Sequence, residues 1–259
     1  MTRALRTTVP EGIYHVTSRG NGDEMIFASD KDKHVLLRLL DHVATDESWK
    51  IMAYCAMGNH YHFVVQTLRE NLSEGMQMLN TSYGESYNER HGHRGHVFQG
   101  RFFSVLFASD PHLLEACRYT VLNPVRAGLV ADVGEWQWSS YAASAYGKHG
   151  PVTMADEMLL SMMDARGIDE SRRAYRDFIG GGIGLSKPSF LKRRPRGRPS
   201  TCQKEPSDHA HLLSGDELAT EMRQLYAGGH TVRSIAELLW VSPMTVSRRL
   251  RQSESEDTR

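Results

Sequence analysis

The sequence predicts an α+β protein, an antiparallel sheet with helices followed by a separate all-α unit. Three observations carry this. Short β-prone runs alternate with helical periodicity through about residue 146. The runs WKIMAYCAM and HYHFVVQT are separated only by Gly58-Asn59, a hairpin signal that makes them antiparallel. Beyond about residue 150 strand-like runs give way to helical stretches and a basic, proline-containing segment.

The elements follow in order. GIYHVTSR (residues 12–19), rich in β-branched and aromatic residues, reads as a first strand. Asp30 is placed to cap a helix running to about Asp46, with Val35, Leu36, Leu39, Leu40 and Val43 at helical spacing. The hairpin comes next; its Gly-Asn order leaves the turn type open. Leu72 to about Arg90 is a helix, with Met76, Leu79, Tyr83 and Tyr87 on one stripe. The stretch from His91 to Gly100 is rich in Gly and His and reads as a loop, and Phe102–Phe107 as a short strand. Asp110 or Ser109 then caps a helix through about Leu122, broken at Pro124. Strand, helix, strand, strand, helix, strand, helix is the order of a ferredoxin-like split βαβ fold with one added helix.

Four segments are expected: a sheet domain over 1–150, a helical extension over 151–186, a basic linker over 187–213 and a helix-turn-helix unit over 214–259. Residues 153–178 look helical and GGGIG breaks the chain after them. From Lys187 to Arg198 there are six basic residues and no acidic one.

Formal net charge over the 259 residues is zero, which excludes a uniformly basic nucleic-acid coat, so charge that attracts DNA must be local. There is no apolar run of membrane-spanning length, and no signal peptide is expected. Cys55, Cys117 and Cys202 form no CxxC pair, and a reduced, cytoplasmic, nucleoid-associated protein with buried thiols is expected. The chain lacks a GxxxxGK phosphate loop, and GGGIG lacks dinucleotide spacing.

The candidate chemistry starts at GNHYHFVV. His60 and His62 stand two apart on a strand, so both imidazoles point to one face while Tyr61 points to the other, packed face. Two neutral imidazoles can hold one divalent ion and leave positions open to phosphate oxygens. Taken alone, the pattern equally describes two histidines on a half-buried strand. Tyr83, Tyr87 and Tyr119 all lie on predicted helices. Tyr83 and Tyr87 share an apolar stripe and read as packing; Asn123 follows Tyr119 by one helical turn.

The blocks YHVTSRGN (14–21), AYCAMGNHYHFVV (53–65), GHVFQGRF (95–102), RYTVLNPVRAGLV (118–130) and WQWSSY (136–141) fall in order through residue 146. With these the chain resembles the REP-associated tyrosine transposases, single-tyrosine members of the HUH nucleases, which share a ferredoxin-like core. The resemblance implies a metal-dependent endonuclease and strand transferase with Tyr119 as nucleophile. It implies Mg²⁺ or Mn²⁺ held by His60, His62 and Asn123, where the family commonly has glutamine in place of Asn123. It also implies a 5′-phosphotyrosine intermediate, an imperfect palindromic single-stranded DNA hairpin as substrate, and a monomer or homodimer. Gly58 departs from the pattern, where proline is expected. Retention of His60, His62 and Tyr119 opposes the alternative of a domesticated, non-catalytic hairpin binder or regulator. Absence of helicase motifs opposes a replication initiator or relaxase.

Within or beside the matched blocks, His15, Arg19, Asn21, Arg94, His96, Phe98, Gln99, Arg101 and Arg126 are candidates to touch DNA. Arginines attract phosphate and Phe98 offers a base-stacking face; His15 is also expected beside the metal, on the strand neighbouring HYH. Further on, PRGRP (195–199) matches an AT-hook core, with Arg196 and Arg198 for the minor groove, and reads equally as a basic linker. Residues 217–251 resemble a helix-turn-helix. Thr231 starts one helix and Pro243 the next, which carries Thr245, Ser247, Arg248 and Arg249 toward duplex DNA.

Overall fold

The computed structural model describes residues 9–107, 110–191 and 215–239, with 246 and 250. The expected contacts of Arg196, Arg198, Thr245, Ser247, Arg248 and Arg249 lie outside the described residues.

Strands β1 (Ile13–Arg19), β2 (Trp49–Ala56), β3 (His60–Thr67) and β4 (Phe103–Phe107) form one sheet in the order β2-β3-β1-β4. Every neighbouring pair is antiparallel. With α1 (Asp30–Asp46) between β1 and β2, and α2 (Leu72–His91) between β3 and β4, this is the ferredoxin-like arrangement expected from the element order. The hairpin forms because strict alternation on β3 suits two packed faces. The carbonyl of Gly58 accepts N–H groups from Ile26 and Phe27, so the turn is held without a proline.

Alternation divides the molecule into two cores. Tyr14 and Val16 of β1 and Tyr61, Phe63 and Val65 of β3 pack under α1 and α2 with Leu36, Leu40, Met76, Leu79 and Tyr83. Ile13 and Val64 face the other way, onto α3 (Asp110–Val121), with Ala116, Cys117, Val121 and Leu122. The short α4 (Asn123–Arg126) follows α3 directly, with Pro124 in its first turn, where a missing N–H costs nothing.

α1 begins at Asp30, but its cap residue is Ser29, not Asp30. Ser29 donates its N–H and hydroxyl to the Asp32 carboxylate. Asp32 is fully buried and also takes Arg90 and His91 from the end of α2, tying the two helices together.

After α4 the chain returns along β2. Ala56 N–H donates to Trp138 O at 2.9 Å, and Ser140 N–H to Tyr54 O at 3.0 Å. The Ser140 hydroxyl accepts the Tyr54 N–H at 3.0 Å, and Trp136 Nε1 donates to Ala56 O at 3.1 Å. Ala155 N–H adds a bond to Ile51 O at 2.8 Å. Helices α5 (Tyr141–Tyr146), α6 (Asp156–Leu160) and α7 (Ile168–Gly180) complete the second core with Tyr141, Leu159, Tyr175 and Ile179. The single helical stretch expected over 153–178 is therefore two helices, parted before Gly167, whose φ of +104° a side chain would resist.

The C-terminal helices α8 (Gly215–Ala227) and α9 (Val232–Leu239) share a small core of their own, Met222, Ile235, Ala236, Leu239 and Val246. Thr231 caps α9, its hydroxyl accepting the Ser234 N–H at 3.1 Å. Among the described residues no helix is long and apolar enough to cross a membrane.

Candidate active site

The face of the sheet that meets α3 turns from apolar to polar along its length. Ile13 and Val64 give way to His15 and His62, then to Thr17, His60 and Arg19. In the β1–β3 register Thr17 lies opposite His62 and Arg19 opposite His60. His60 and His62 point the same way, their ring centroids 5.0 Å apart. His15 stacks on His62 at 5.1 Å, and its Nε2 lies 3.0 Å from His62 Nδ1. Thr17 Oγ1 is 3.1 Å from the same Nδ1, and His60 Nδ1 is 2.7 Å from Asn59 Oδ1. Both candidate ligands thus have Nδ1 engaged by the protein, which leaves Nε2 as the nitrogen that could take a metal.

Tyr119 sits on α3 directly above this surface. Its ring centroid is 5.7 Å from that of His62 and 6.1 Å from that of His15. Residues 110–121 form a helix because Leu113, Ala116, Cys117 and Val121 supply its buried stripe, and Tyr119 falls at the rim, 9% exposed. Tyr83 and Tyr87 are committed elsewhere, their hydroxyls donating to Ile26 O and Met25 O. Asn123 is nearly buried, and its Nδ2 donates to Tyr119 O at 2.9 Å and Thr120 O at 3.3 Å. That fixes the amide beside the tyrosine's own backbone and leaves Oδ1 as the amide atom that could ligate a metal.

Burial dominates the electrostatics. It pushes His15 down to about 3, with the Lys187 charge adding to it. His60 falls to about 4 through burial, then Arg19 and Lys187. His62 is held well below the ordinary histidine value by burial, then by His15, His60 and Lys187. All three imidazoles are neutral near pH 7, the form that ligates a metal. Burial lifts the Tyr119 phenol above its ordinary value, partly offset by Arg126, whose guanidinium lies 5.2 Å from the ring centre.

Among the described residues no group of three or more His, Cys, Asp or Glu side chains is arranged to hold a metal. The candidate donors are the imidazole pair on β3, with Asn123 one turn past Tyr119 at the end of the covering helix. That set fits a divalent ion left with open positions for phosphate oxygens.

A cavity of about 470 Å³ opens beside the histidines, lined by His15, Thr17, Arg19, His62, Gln99, Arg101 and Lys187 among others. A second of about 470 Å³ adjoins it through Gln99 and Gly100 and carries Asn21, Asn80, Asn88, His96 and Phe98. The loop before β4 is pinned to the end of β1 by Asn21 N–H to Val97 O and Gln99 N–H to Arg19 O, at 3.0 and 2.9 Å. Of the side chains expected at DNA, His15, Arg19, Asn21, His96, Phe98, Gln99 and Arg101 line these two cavities. Arg126 flanks the tyrosine. Arg94 is exposed on the loop and lines neither cavity. Arg19 is paired with Asp23 at 2.8 Å. Phe98 is half-buried, its ring against Tyr61 and Tyr83, at 6.0 and 5.9 Å.

Lys187 escaped the sequence reading. Its ammonium lies 5.2 Å from the Tyr119 ring centre. Lys187 opens the basic stretch taken as linker, yet the residues just after it are packed. Leu191 is buried, and Phe190 meets Phe107 and His112 at 6.0 and 4.4 Å. The apolar pair Phe190-Leu191 was the signal available.

The fold and the site together define a ferredoxin-like domain in which a histidine pair on the sheet faces a tyrosine on the covering helix. Residues 8–120 match the family described as "Transposase IS200 like". Asn123, Arg126 and Lys187 lie beyond the matched segment. Among solved structures, that of a REP-associated tyrosine transposase bound to a REP hairpin is similar at 18% identity. It covers 60% of this chain and 93% of that one, with a TM-score of 0.48. The tRNA(His) guanylyltransferase of Saccharomyces cerevisiae is similar at 10% identity, covering 73% and 86%, with a TM-score of 0.37. No curated protein matches the chain.

Proposed function

We propose that the protein cleaves and rejoins single-stranded DNA at REP-like hairpins, with Tyr119 as nucleophile. The observation that carries this is the 5.7 Å approach of the Tyr119 and His62 rings within the segment that matches that family. His60 and His62 through Nε2, and Asn123 through Oδ1, would hold Mg²⁺ or Mn²⁺. Such an ion, when bound, polarises the scissile phosphate and orients it for in-line attack.

The chain's own groups do the rest. Tyr119 Oη bonds to phosphorus as the bond from phosphorus to the 3′-oxygen breaks. The phenolic proton is balanced by one taken up at the leaving 3′-hydroxyl. The 5′-phosphate stays on the tyrosine, so the phosphodiester is conserved and rejoining runs the same step backwards without a nucleotide triphosphate. Arg126, beside the Tyr119 ring, favours phenolate as the proton leaves. Arg101 and Gln99 border the path of the strand, and the neighbouring amide-rich cavity with Asn21 and His96 suits unpaired bases. Tyrosine and histidines of one chain reach each other, which supports a monomer competent for cleavage. Duplex binding by the α8–α9 unit would raise the local concentration of the nuclease near its targets.

The test is a covalent-complex assay with hairpins bearing a single-stranded foot, with Mg²⁺ or Mn²⁺ and with chelator. A denaturation-resistant adduct that needs both metal and Tyr119 is expected. In Tyr119→Phe the adduct disappears while hairpin binding persists. Intact binding with no adduct from the wild type would instead favour a hairpin-binding regulator.

A further inference from the structure

We propose that Lys187 is a substrate-binding residue of the cleavage site, its ammonium contacting the phosphodiester presented to Tyr119. This rests on the reading of Tyr119 as nucleophile. The matched segment ends at Thr120, so the group is supplied from beyond it, by the first residue of the stretch read as a basic linker.

Three observations converge on it. The ammonium stands 5.2 Å from the Tyr119 ring centre and lines the same cavity as His15 and His62. Lys187 joins Arg101 there, with Arg19 already paired to Asp23 just outside, and no carboxylate is among the described lining residues, a wall suited to an anion. Lastly, the lysine is held by a strap clamped at both ends to the tyrosine's own surroundings.

At the strap's start, Gly182 packs on Arg118, the residue before Tyr119. A Cβ at Gly182 would fall 2.5 Å from Arg118 Cδ. Arg118 in turn lies over the Phe178 ring at 4.5 Å and donates to Phe178 O at 3.4 Å, joining α7 to α3. At its end, Phe190 packs on Phe107 of β4 and His112 of α3, and Leu191 is buried. Between these clamps Lys187 is half-buried, unlike a lysine on a solvated linker. An ammonium fixed over the attacking tyrosine stabilises the extra negative charge that the phosphate gathers during in-line displacement.

The experiment compares wild type, Lys187→Gln and Lys187→Arg in the full chain, with thermal unfolding as a check on folding. Binding of a hairpin oligonucleotide with a single-stranded foot is measured across salt concentrations, and adduct formation under single turnover. Lys187→Gln should lower the slope of log affinity against log salt by about 0.7, one phosphate contact on a single strand. It should slow adduct formation by roughly 10²-fold, the loss typical of removing one transition-state contact. Lys187→Arg should keep most of both. Unchanged slope and rate in Lys187→Gln would overturn the proposal, as would equal losses in both variants with lowered melting temperature. A reduced slope in a protein whose wild type forms no adduct would uphold the phosphate contact and sink the nucleophile reading instead.

Discussion

His15 Nε2 lies 3.0 Å from His62 Nδ1, so one imidazole is oriented by another across the β1–β3 pair. If His62 Nδ1 donates that bond, its Nε2 carries the lone pair and is ready for a metal. Thr17 is the second partner of the same nitrogen. His15→Ala should therefore weaken Mn²⁺ binding by about 10-fold or more, the range for loss of a group that orients a ligand. Calorimetric titration with Mn²⁺ measures this; unchanged affinity in a folded variant would show that Thr17 alone suffices.

The same burial gives a pH dependence. His15 and His60 have their basicity reduced from the ordinary 6.5 to about 3 and about 4, and His62 is held well below 6.5. Below pH 6.5 the unfolded chain takes up protons at these positions that the folded chain refuses. Stability is thus fully present above about 6.5 and is lost as pH falls toward 4. Urea unfolding of metal-free protein should show a lower midpoint at pH 5 than at pH 7.5. His15→Gln should narrow that gap, and an equal gap in the variant would mean that other groups set the acid limb.

Asn123 holds its amide by donating to Tyr119 O and Thr120 O. Asn123→Ala removes both the anchor and the candidate ligand oxygen. Metal-dependent adduct formation should fall by about 10-fold or more. Mn²⁺ affinity should fall with it; a lower rate at unchanged affinity would make Asn123 a support for the helix turn and not a ligand.

Two glycines on α2 should respond in opposite directions to alanine. A Cβ on Gly75 would sit 2.3 Å from Cζ2 of the buried Trp49, whereas one on Gly84 would meet only Val97 Cγ2 at 3.9 Å. Overpacking costs about 1–3 kcal/mol and the helix gains up to about 1 kcal/mol from alanine. Gly75→Ala should lose about 1–2 kcal/mol and Gly84→Ala should gain a few tenths to about 1 kcal/mol, read from urea midpoints.

Legibility in the sequence followed the range of the interaction. The His-Tyr-His alternation could be read because a strand's period is two, and Tyr61 does face the packed layer, stacked on Phe63 at 4.3 Å. The hairpin, the helices over α1, α2 and α3, and the packing roles of Tyr83 and Tyr87 were equally local signals. Choosing Tyr119 over those two needed the family resemblance, since helical spacing alone fits all three. The cap at Ser29 was missed because Asp30 is itself a good cap residue, and only the bond geometry to Asp32 separates them. The packing of Phe98 against Tyr61 and Tyr83 was not legible because those partners are distant in sequence. Lys187 was hidden for the same reason: Lys-Pro-Ser next to a basic run has the composition of a linker, and its contact with Tyr119 is made across the fold.

The pairing of residues 136–140 and Ala155 with β2 bears on what can be separated from what. A strand with open N–H and C=O groups on its outer side is a template for another chain to add to. Here that side is taken up by the segment after α4, through Trp138, Ser140 and Ala155. A fragment ending at residue 120 would retain the histidines and the tyrosine, yet bare the β2 backbone to its neighbours and tend to associate through it. The smallest independently soluble unit of this chain therefore extends well past the matched segment, and homologues that lack the Trp-Gln-Trp-Ser-Ser run must shield the same flank by other means.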